Sequence, residues 1–176
     1  MMSAPKLDSK HLKALDTLEE KIMSLAESSD ELNKIWKQLD FNGNNIVSLA
    51  EIDKFVQERY PLLNQKPALM RAYKKATGKG LASSTDCDVV TRDELPELLK
   101  NLFYFNRLYH IFDKIDSDDD KRIDLAEFKR GFALIKLEGK HKAEDVFREI
   151  DTNAGGIILF DEFCCWFAEK GLDKAL

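Results

Sequence analysis

Residues 116–127 read Asp116-Ser117-Asp118-Asp119-Asp120-Lys121-Arg122-Ile123-Asp124-Leu125-Ala126-Glu127. Acidic side chains occupy the first, third, fifth, ninth and twelfth places of this segment. Ca²⁺ takes about six to eight oxygen ligands, and proteins bind it with carboxylates at this spacing, a main-chain carbonyl at the seventh place and a bidentate Glu at the twelfth. The segment therefore predicts a calcium-binding loop. Its candidate ligands are Asp116, Asp118, Asp120, Arg122, Asp124 and Glu127.

The sixth place of such a loop usually holds Gly because the chain turns sharply there, and this loop has Lys121. A left-handed conformation at a residue with a Cβ costs about 1 kcal/mol, which a site with several carboxylates can absorb. The alternative is a solvated acidic turn between two helices. That alternative leaves unexplained the apolar residues in and around the loop, which are Leu108, Ile111, Phe112, Ile115, Ile123, Phe128 and Phe132.

The loop is one of four similar segments along the chain. In each segment a Glu begins an exiting helix, and apolar residues follow it on one helical face. The four acidic residues are Glu51, Glu94, Glu127 and Glu162. In the third segment the apolar residues are Phe128, Phe132 and Ala133. The repeat predicts four helix-loop-helix units of the EF-hand type, numbered here in chain order.

A single unit cannot bury its apolar face alone, so we expect the units to form two pairs. Short strands at the eighth loop places should pair Val47 with Val90 and Ile123 with Ile158. The expected fold class is all-α, with four EF-hand units in two pairs, short β-bridges between paired loops and an extra N-terminal helix. The expected regions are an N-terminal extension over 1–27, a first pair over 28–100 and a second pair over 101–176.

Leucine and isoleucine at three- and four-residue spacing indicate the extra helix ahead of the first unit. These residues are Leu12, Leu15, Leu18, Ile22 and Leu25. We expect the helix to pack on the core, and a partner or membrane surface is the alternative. Ser28 to Glu31 resembles a capping box that starts the first entering helix.

The first loop, residues 40–51, has an oxygen at every ligand place but only two charges, on Asp40 and Glu51. Asn45 stands at the sixth place and tolerates a left-handed conformation. Because charge count tunes affinity, we expect weaker calcium binding than in the third loop. The alternative is a loop that its Asn side chains hold in shape without metal. The candidate ligands are Asp40, Asn42, Asn44, Ile46, Ser48 and Glu51.

The second loop is predicted to be structural. Aligned on Glu94, it would need Cys87 as a ligand, and a thiol is a poor partner for a hard cation. Pro96 favours Asp93 as the cap of the exiting helix, because a Pro beyond the first turn would break a backbone hydrogen bond. The long spacing from the first unit indicates an insertion within residues 78–85.

The fourth loop, residues 151–162, has fewer side-chain oxygens. Gly155 and Leu159 supply none, so water or main chain must complete the shell. Gly156 suits the sharp turn at the sixth place. Spacing alone leaves a calcium site and a loop without metal equally open. The candidate ligands are Asp151, Asn153, Gly155, Ile157 and Glu162.

Composition argues against several function classes. The net charge of −5 over 176 residues disfavours a nucleic-acid-binding protein. No apolar run approaches the ~20 residues that span a bilayer, and the first residues have no apolar signal core. The three cysteines lack the spacing of a disulfide framework or a zinc site. We therefore expect a cytoplasmic protein with no nucleic-acid partner and no transmembrane segment.

Residues 149–163 (Glu-Ile-Asp-Thr-Asn-Ala-Gly-Gly-Ile-Ile-Leu-Phe-Asp-Glu-Phe) and 112–116 (Phe-Asp-Lys-Ile-Asp) resemble the flagellar calcium-binding proteins of protists, the calflagins. The resemblance covers the C-terminal half well and the N-terminal half loosely. It implies a four-EF-hand calcium sensor with Ca²⁺ in the third and fourth loops, and it suggests a flagellar or ciliary setting. Calflagins resemble dually acylated proteins with Gly after the initiator Met, whereas this chain has Met2-Ser3-Ala4, so we expect no acylation signal there.

These patterns predict a calcium sensor. Ca²⁺ in the third and fourth loops would reorient the exiting helices and expose an apolar cleft to a protein target. Outside the initiator region only Met23 and Met70 occur, which indicates a narrow target range. A calcium buffer that uses the same ligands without opening is the alternative. An enzyme is not expected, because no catalytic arrangement or complete phosphate-binding loop is suggested.

A basic set between residues 66 and 79 contains no acidic residue. It predicts a second surface for weak contact with anionic lipid or an acidic partner, and the alternative is a solvated helix face. The set comprises Lys66, Arg71, Lys74, Lys75 and Lys79.

Overall fold

A computed structural model of the chain describes residues 9–26, 28–77, 89–137 and 139–172. Over these residues the chain forms eight α-helices and one two-stranded antiparallel sheet. The predicted all-α class with short β-bridges is thus confirmed. The chain divides into two units, Met1–Asn106 and Arg107–Leu176, which are taken in turn.

The first unit contains four complete helices and the start of a fifth. They are α1 (Ser9–Ala26), α2 (Ser29–Leu39), α3 (Leu49–Arg59), α4 (Lys66–Ala76) and α5 (Leu95–Ile115), with 3-10 turns at Pro61–Leu63 and Arg92–Glu94. Helix α5 ends in the second unit. There it is followed by β1 (Arg122–Asp124), α6 (Leu125–Gly131), a 3-10 turn at Phe132–Ile135, α7 (Ala143–Ile150), β2 (Ile157–Leu159) and α8 (Phe160–Glu169). In the described part of the chain, no helix is both long and apolar enough to cross a membrane.

Helix α1 is the predicted extra helix, and it contacts α2. Leu15 and Ile22 are fully buried, which favours core packing over an exposed partner surface. Burial of such a side chain stabilises the fold by roughly 1.5–3 kcal/mol. Helix α2 begins where predicted, with Ser28 at the cap position, but the predicted capping box is wrong. The Ser28 side chain makes no capping bond, and Glu31 forms an ion pair with Lys34 instead.

The loops of the first unit meet at the predicted bridge. Val47 and Val90 each donate a backbone N–H to the other's carbonyl at 2.8 Å, and both side chains are fully buried. The apolar faces predicted for the helices lie in the core of this unit. Their buried members are Ile35, Trp36, Leu39, Ile52, Phe55, Val56, Leu95, Leu98 and Leu99.

The helix that leaves the second loop starts differently from the prediction. The Thr91 N–H and hydroxyl donate to Glu94 Oε2 at 2.7 and 2.9 Å. The chain then makes a 3-10 turn and becomes α-helical at Leu95, so Pro96 lies in the first turn, where it breaks no helical bond. The prediction that Asp93 caps this helix was therefore wrong. Cys87 and the predicted insertion over 78–85 lie outside the described residues.

The sheet of the second unit joins the third and fourth loops. Ile123 faces Ile158 across the sheet, Arg122 faces Leu159 and Asp124 faces Ile157. Ile123 and Ile158 are fully buried. The predicted pairing is confirmed, and it fixes the two candidate metal loops side by side.

Aromatic rings form the core beneath these loops. The ring of Phe112 lies 5.5 Å from Phe160 and 5.6 Å from Phe163, both edge to face. Tyr109 packs against Phe160 at 5.1 Å. Each such pair stabilises by about 0.5–1.5 kcal/mol beyond its buried area. The core therefore resists separation of α5 from α8.

The helix that leaves the third loop is shorter than the spacing of its apolar residues predicts. Helix α6 ends at Gly131 and tightens into a 3-10 turn. A 3-10 turn has about three residues per turn, so it rotates the following side chains away from the α-helical face. Phe128 is fully buried and Phe132 half-buried, but Ala133 is exposed, which corrects the prediction that Ala133 shares the buried face.

Candidate metal sites

The third loop begins at the buried carboxylate of Asp116, directly after α5. Its two oxygens accept the backbone N–H groups of Asp120 at 3.2 Å and Lys121 at 3.0 Å. A short acidic side chain thus closes the turn by bonding to its own backbone a few residues on. These two bonds hold the carboxylate of the first candidate ligand inside the turn of the loop.

The next two candidate ligands, Asp118 and Asp120, each accept a backbone N–H from the residue two positions further on. Asp118 accepts the N–H of Asp120 at 3.2 Å, and Asp120 accepts the N–H of Arg122 at 2.8 Å. Carboxylate oxygens of Asp116, Asp118 and Asp120 lie within 4.8 Å of one another. Three hard oxygen ligands from one turn could hold a divalent cation. Arg122 and Asp124 begin and end β1, with their side chains exposed.

Glu127 closes the loop from the first turn of α6. Its Oε1 accepts the N–H and hydroxyl of Ser117 at 2.8 and 2.9 Å, and its Oε2 accepts the N–H of Asp124 at 3.1 Å. The Asp124 side chain in turn accepts the Glu127 N–H at 2.7 Å, completing a capping box. Both oxygens of this buried carboxylate are therefore tied to opposite ends of the loop.

Burial and neighbouring groups perturb the two buried acids of the loop. Burial raises the pKa of the Asp116 carboxyl, and the nearby Glu127 charge acts in the same direction. Burial also opposes the charge of Glu127, but hydrogen bonds from Asp124 and Ser117 hold its pKa below the ordinary value. Several carboxylates held this close repel one another, and a divalent cation would remove that repulsion.

Lys121 occupies the sixth place in a left-handed conformation, with φ of +68°. Its ammonium pairs with Asp119 and lies 3.8 Å from Asp113. The bond to Asp119 is the chief cause of its raised pKa, and Tyr109 also contributes. Lys121 therefore combines backbone strain with a fixed positive charge beside the acidic loop.

We expect Lys121→Asn to raise the calcium affinity of the third loop several-fold. Asn tolerates the left-handed conformation, and removal of a cation from a carboxylate cluster is worth on the order of 1 kcal/mol. Calorimetric calcium titration measures the change. Lys140→Asn, which removes an exposed cation outside the loop, is the control. Equal or weaker binding by the Lys121 variant would contradict this role of its charge.

The first loop has the same closure at its start. Asp40 accepts the backbone N–H groups of Asn44 and Asn45 at 3.1 and 2.9 Å. Glu51 accepts the Ser48 N–H at 2.9 Å through Oε2. Its Oε1 accepts the Asn42 amide at 2.7 Å. The candidate ligands Asp40, Asn42, Asn44, Ser48 and Glu51 are thus brought into one turn, followed by Ile46 one residue before the bridge at Val47.

The fourth loop is closed in the same way. Asp151 accepts the N–H groups of Gly155 and Gly156 at 3.0 and 2.9 Å. The Asn153 amide donates to Glu162 Oε1 at 2.9 Å, and Asn153 Oδ1 accepts the Gly155 N–H at 2.7 Å. The structure therefore brings Asp151, Asn153, Gly155 and Glu162 together, and Ile157 follows at the start of β2.

A hydrogen bond that the loop spacing does not predict joins the Asn at the third place to the Glu at the twelfth place. It occurs in the first loop (Asn42 and Glu51) and in the fourth (Asn153 and Glu162). The third loop has Asp118 at that place, and a carboxylate cannot donate such a bond. The signal in the sequence was the Asn itself, since an amide both donates and accepts.

The structure does not bring the predicted basic set to one surface. Arg71 is buried, and Lys66 pairs with Asp53. Lys74 and Lys75 are exposed, and Lys79 lies outside the described residues. The prediction of a basic surface including Arg71 was therefore wrong, because Arg71 lies on the inward face of α4.

Comparison with known proteins identifies related chains. Residues 105–168 match the EF-hand domain pair family. The chain is 30% identical over 161 residues to flagellar calcium-binding protein TB-17 of Trypanosoma brucei brucei, covering 84% of this chain and 66% of the relative. It is 30% identical over 158 residues to TB-24 of the same organism, covering 84% and 71%. It is 29% identical over 157 residues to the flagellar calcium-binding protein of Trypanosoma cruzi, covering 84% and 74%. The chain thus spans about two thirds of the length of the first of these relatives.

Proposed function

Because the chain belongs to the EF-hand family of flagellar calcium-binding proteins, we propose that it binds Ca²⁺ through its third and fourth loops, with the first loop as a further candidate site. One observation carries the proposal. Oxygens of Asp116, Asp118 and Asp120 converge within 4.8 Å in a loop that the Glu127 carboxylate closes. The proposed ligands of the third loop are these four residues with Asp124 and the Arg122 carbonyl.

Charge sets the expected order of affinity among the loops. The third loop supplies five carboxylates at its ligand places, whereas Asp40 and Glu51 in the first loop and Asp151 and Glu162 in the fourth supply two each. Ligand charge count tunes calcium affinity in loops of this length. The third loop is therefore the tightest proposed site.

We further propose that the second unit acts as a calcium sensor. The exiting helices α6 and α8 bury Phe128, Phe163 and Phe167. Reorientation of these helices by bound Ca²⁺ would expose an apolar cleft to a protein target. The cleft would be aromatic, which favours a narrow range of targets over an adaptable Met-rich surface.

The competing function is a calcium buffer. The edge-to-face contacts among Tyr109, Phe112, Phe160 and Phe163 favour a closed unit. In a buffer the same ligands bind Ca²⁺ with little opening. The two functions differ in exposed apolar surface, which is measurable.

A calcium titration in physiological magnesium, read with a dye that fluoresces on apolar surface, tests the sensor proposal. We expect a cooperative fluorescence rise over the calcium range in which calorimetry shows binding. The Glu127→Gln variant should shift or abolish the rise. A flat dye signal in a sample that binds calcium would contradict the sensor and support the buffer.

A flagellar setting is proposed from the names of the relatives. Immunofluorescence in the cell that makes the protein checks it, and exclusion of the protein from a flagellum there would refute it.

A further inference from the structure

The first unit carries a recess beside the first loop, between α2 and α3. Its volume is about 280 Å³, and Phe55 lies at its buried side. Lys37 contributes from the end of α2, Phe41 from the loop, and Lys54 and Arg59 from α3. None of these side chains belongs to the proposed metal ligands.

Phe41 is an exposed apolar group in this recess. The residue is 55% exposed, the most among the large apolar residues that the structure describes as exposed. The Lys54 ammonium lies 4.2 Å from the centre of its ring. A cation over an aromatic face contributes about 0.5–1 kcal/mol at an exposed site. The Lys54 ammonium thus helps to orient a Phe41 ring that lines the recess and remains partly exposed.

The charge of the recess opposes that of the whole chain. Lys37, Lys54 and Arg59 line it against a single acidic residue, Glu58, whereas the chain carries −5. Within the described ranges, neither Lys37 nor Arg59 forms an ion pair. Positive charges that cluster around an exposed apolar residue are complementary to a ligand that carries both acidic and apolar groups.

We propose that this recess docks an acidic segment of a protein partner, with one apolar side chain against Phe41 and carboxylates on Lys37, Lys54 and Arg59. The concave shape favours a peptide side chain over a lipid surface, because a flat surface would not enter the recess, and the lining carboxylate of Glu58 disfavours anionic headgroups. Aromatic and Arg side chains are the residues that most often carry binding energy in such contacts.

The docking recess adjoins a candidate calcium loop. Phe41 lies between Asp40 and Asn42, and Lys54 follows Glu51 by three residues on α3. Ca²⁺ in the first loop would fix the angle between α2 and α3 and so the width of the recess. This calcium dependence rests on the proposed function, whereas docking itself does not.

Fluorescence anisotropy with a labelled peptide, in which Glu residues flank a Leu-Phe pair, tests the proposal. We expect saturable binding to the full chain that weakens as salt rises, because the contacts are charged and exposed. The double variant Lys37→Glu/Arg59→Glu should weaken binding at least about tenfold, since like charges then face each other. Phe41→Ala should weaken it by about tenfold through loss of the apolar anchor.

The double variant Lys74→Glu/Lys75→Glu is the matched control, because it makes the same charge change on exposed α4 residues that do not line the recess. Equal loss in the control, or no saturable binding by the full chain, would overturn the proposal. Vesicles containing phosphatidylserine that bind with the same dependence on Phe41, while the peptide does not, would also overturn it in favour of lipid. A calcium titration of each variant keeps the two proposals separate: peptide binding without calcium binding would refute only the proposed function.

Discussion

Replacement of Glu127 by Gln is expected to lower the calcium affinity of the third loop at least about 100-fold. Substitution of residues that only hydrogen-bond a metal ligand lowers metal affinity by roughly 10- to 100-fold, and Glu127→Gln removes a proposed bidentate ligand itself. Gln is nearly isosteric, and its carbonyl oxygen can still accept from Ser117, whose N–H and hydroxyl lie at 2.8 and 2.9 Å. The loss should therefore appear in binding far more than in folding.

Calorimetric titration of the three single variants Glu51→Gln, Glu127→Gln and Glu162→Gln would count the sites. Each variant should reduce the stoichiometry by one if its loop binds Ca²⁺ in the parent protein. Glu169→Gln makes the same chemical change at an exposed position near the end of α8 and should leave the titration unaltered. An unchanged titration for Glu127→Gln would remove the third loop from the proposed sites.

Replacement of Gly131 by Val is expected to destabilise the second unit by about 1–3 kcal/mol, the usual cost of overpacking a core. A Cβ at position 131 would lie 2.7 Å from Ile115 Cγ1, and Ile115 is buried. In an exposed helix a side chain in place of Gly would help folding. At position 131 the clash with Ile115 outweighs this gain, so the substitution should lower the stability of the unit. Ile115 directly precedes Asp116, so the third loop should also bind Ca²⁺ more weakly.

The measurement is denaturant unfolding followed by Trp166 fluorescence in a Trp36→Phe background, because the chain has two Trp, one in each unit. Ala133→Val adds a β-branched side chain at an exposed position two residues later and is the control. In an Ile115→Ala background the same Gly131→Val substitution should cost less than in the parent protein, since Ala lacks the Cγ1 and Cγ2 atoms that the new Cβ would meet. Full stability of Gly131→Val would show that Ile115 can move aside.

The repeat and the loops were accessible from sequence because both depend on short spacings. Apolar residues three and four apart lie on one face of a helix wherever that helix packs. The oxygens of a twelve-residue loop likewise converge because the loop turns on itself. The pairings of Val47 with Val90 and Ile123 with Ile158 followed from the same register, since each lies at the eighth place of its loop.

The predictions that were wrong depend on contacts between residues distant in sequence or on a local conformation that packing decides. Arg71 belongs to a basic set in the sequence, but α4 turns it inward. Asp93 was a reasonable cap for the helix containing Pro96, yet the bridge at Val90 fixes Thr91 just before the turn. Helix propensity alone does not distinguish these outcomes.

The amino-acid order alone specified the four helix-loop-helix units and the candidate ligand places of the first, third and fourth loops, because these are relations within about a dozen residues. Tertiary packing specified which cations remain on the surface, where α6 ends against Ile115, and the recess that joins Phe41 to Lys37 and Arg59. Those features require side chains from separate helices to meet, and the pairing of helices is set by the sum of many buried contacts rather than by any one local pattern.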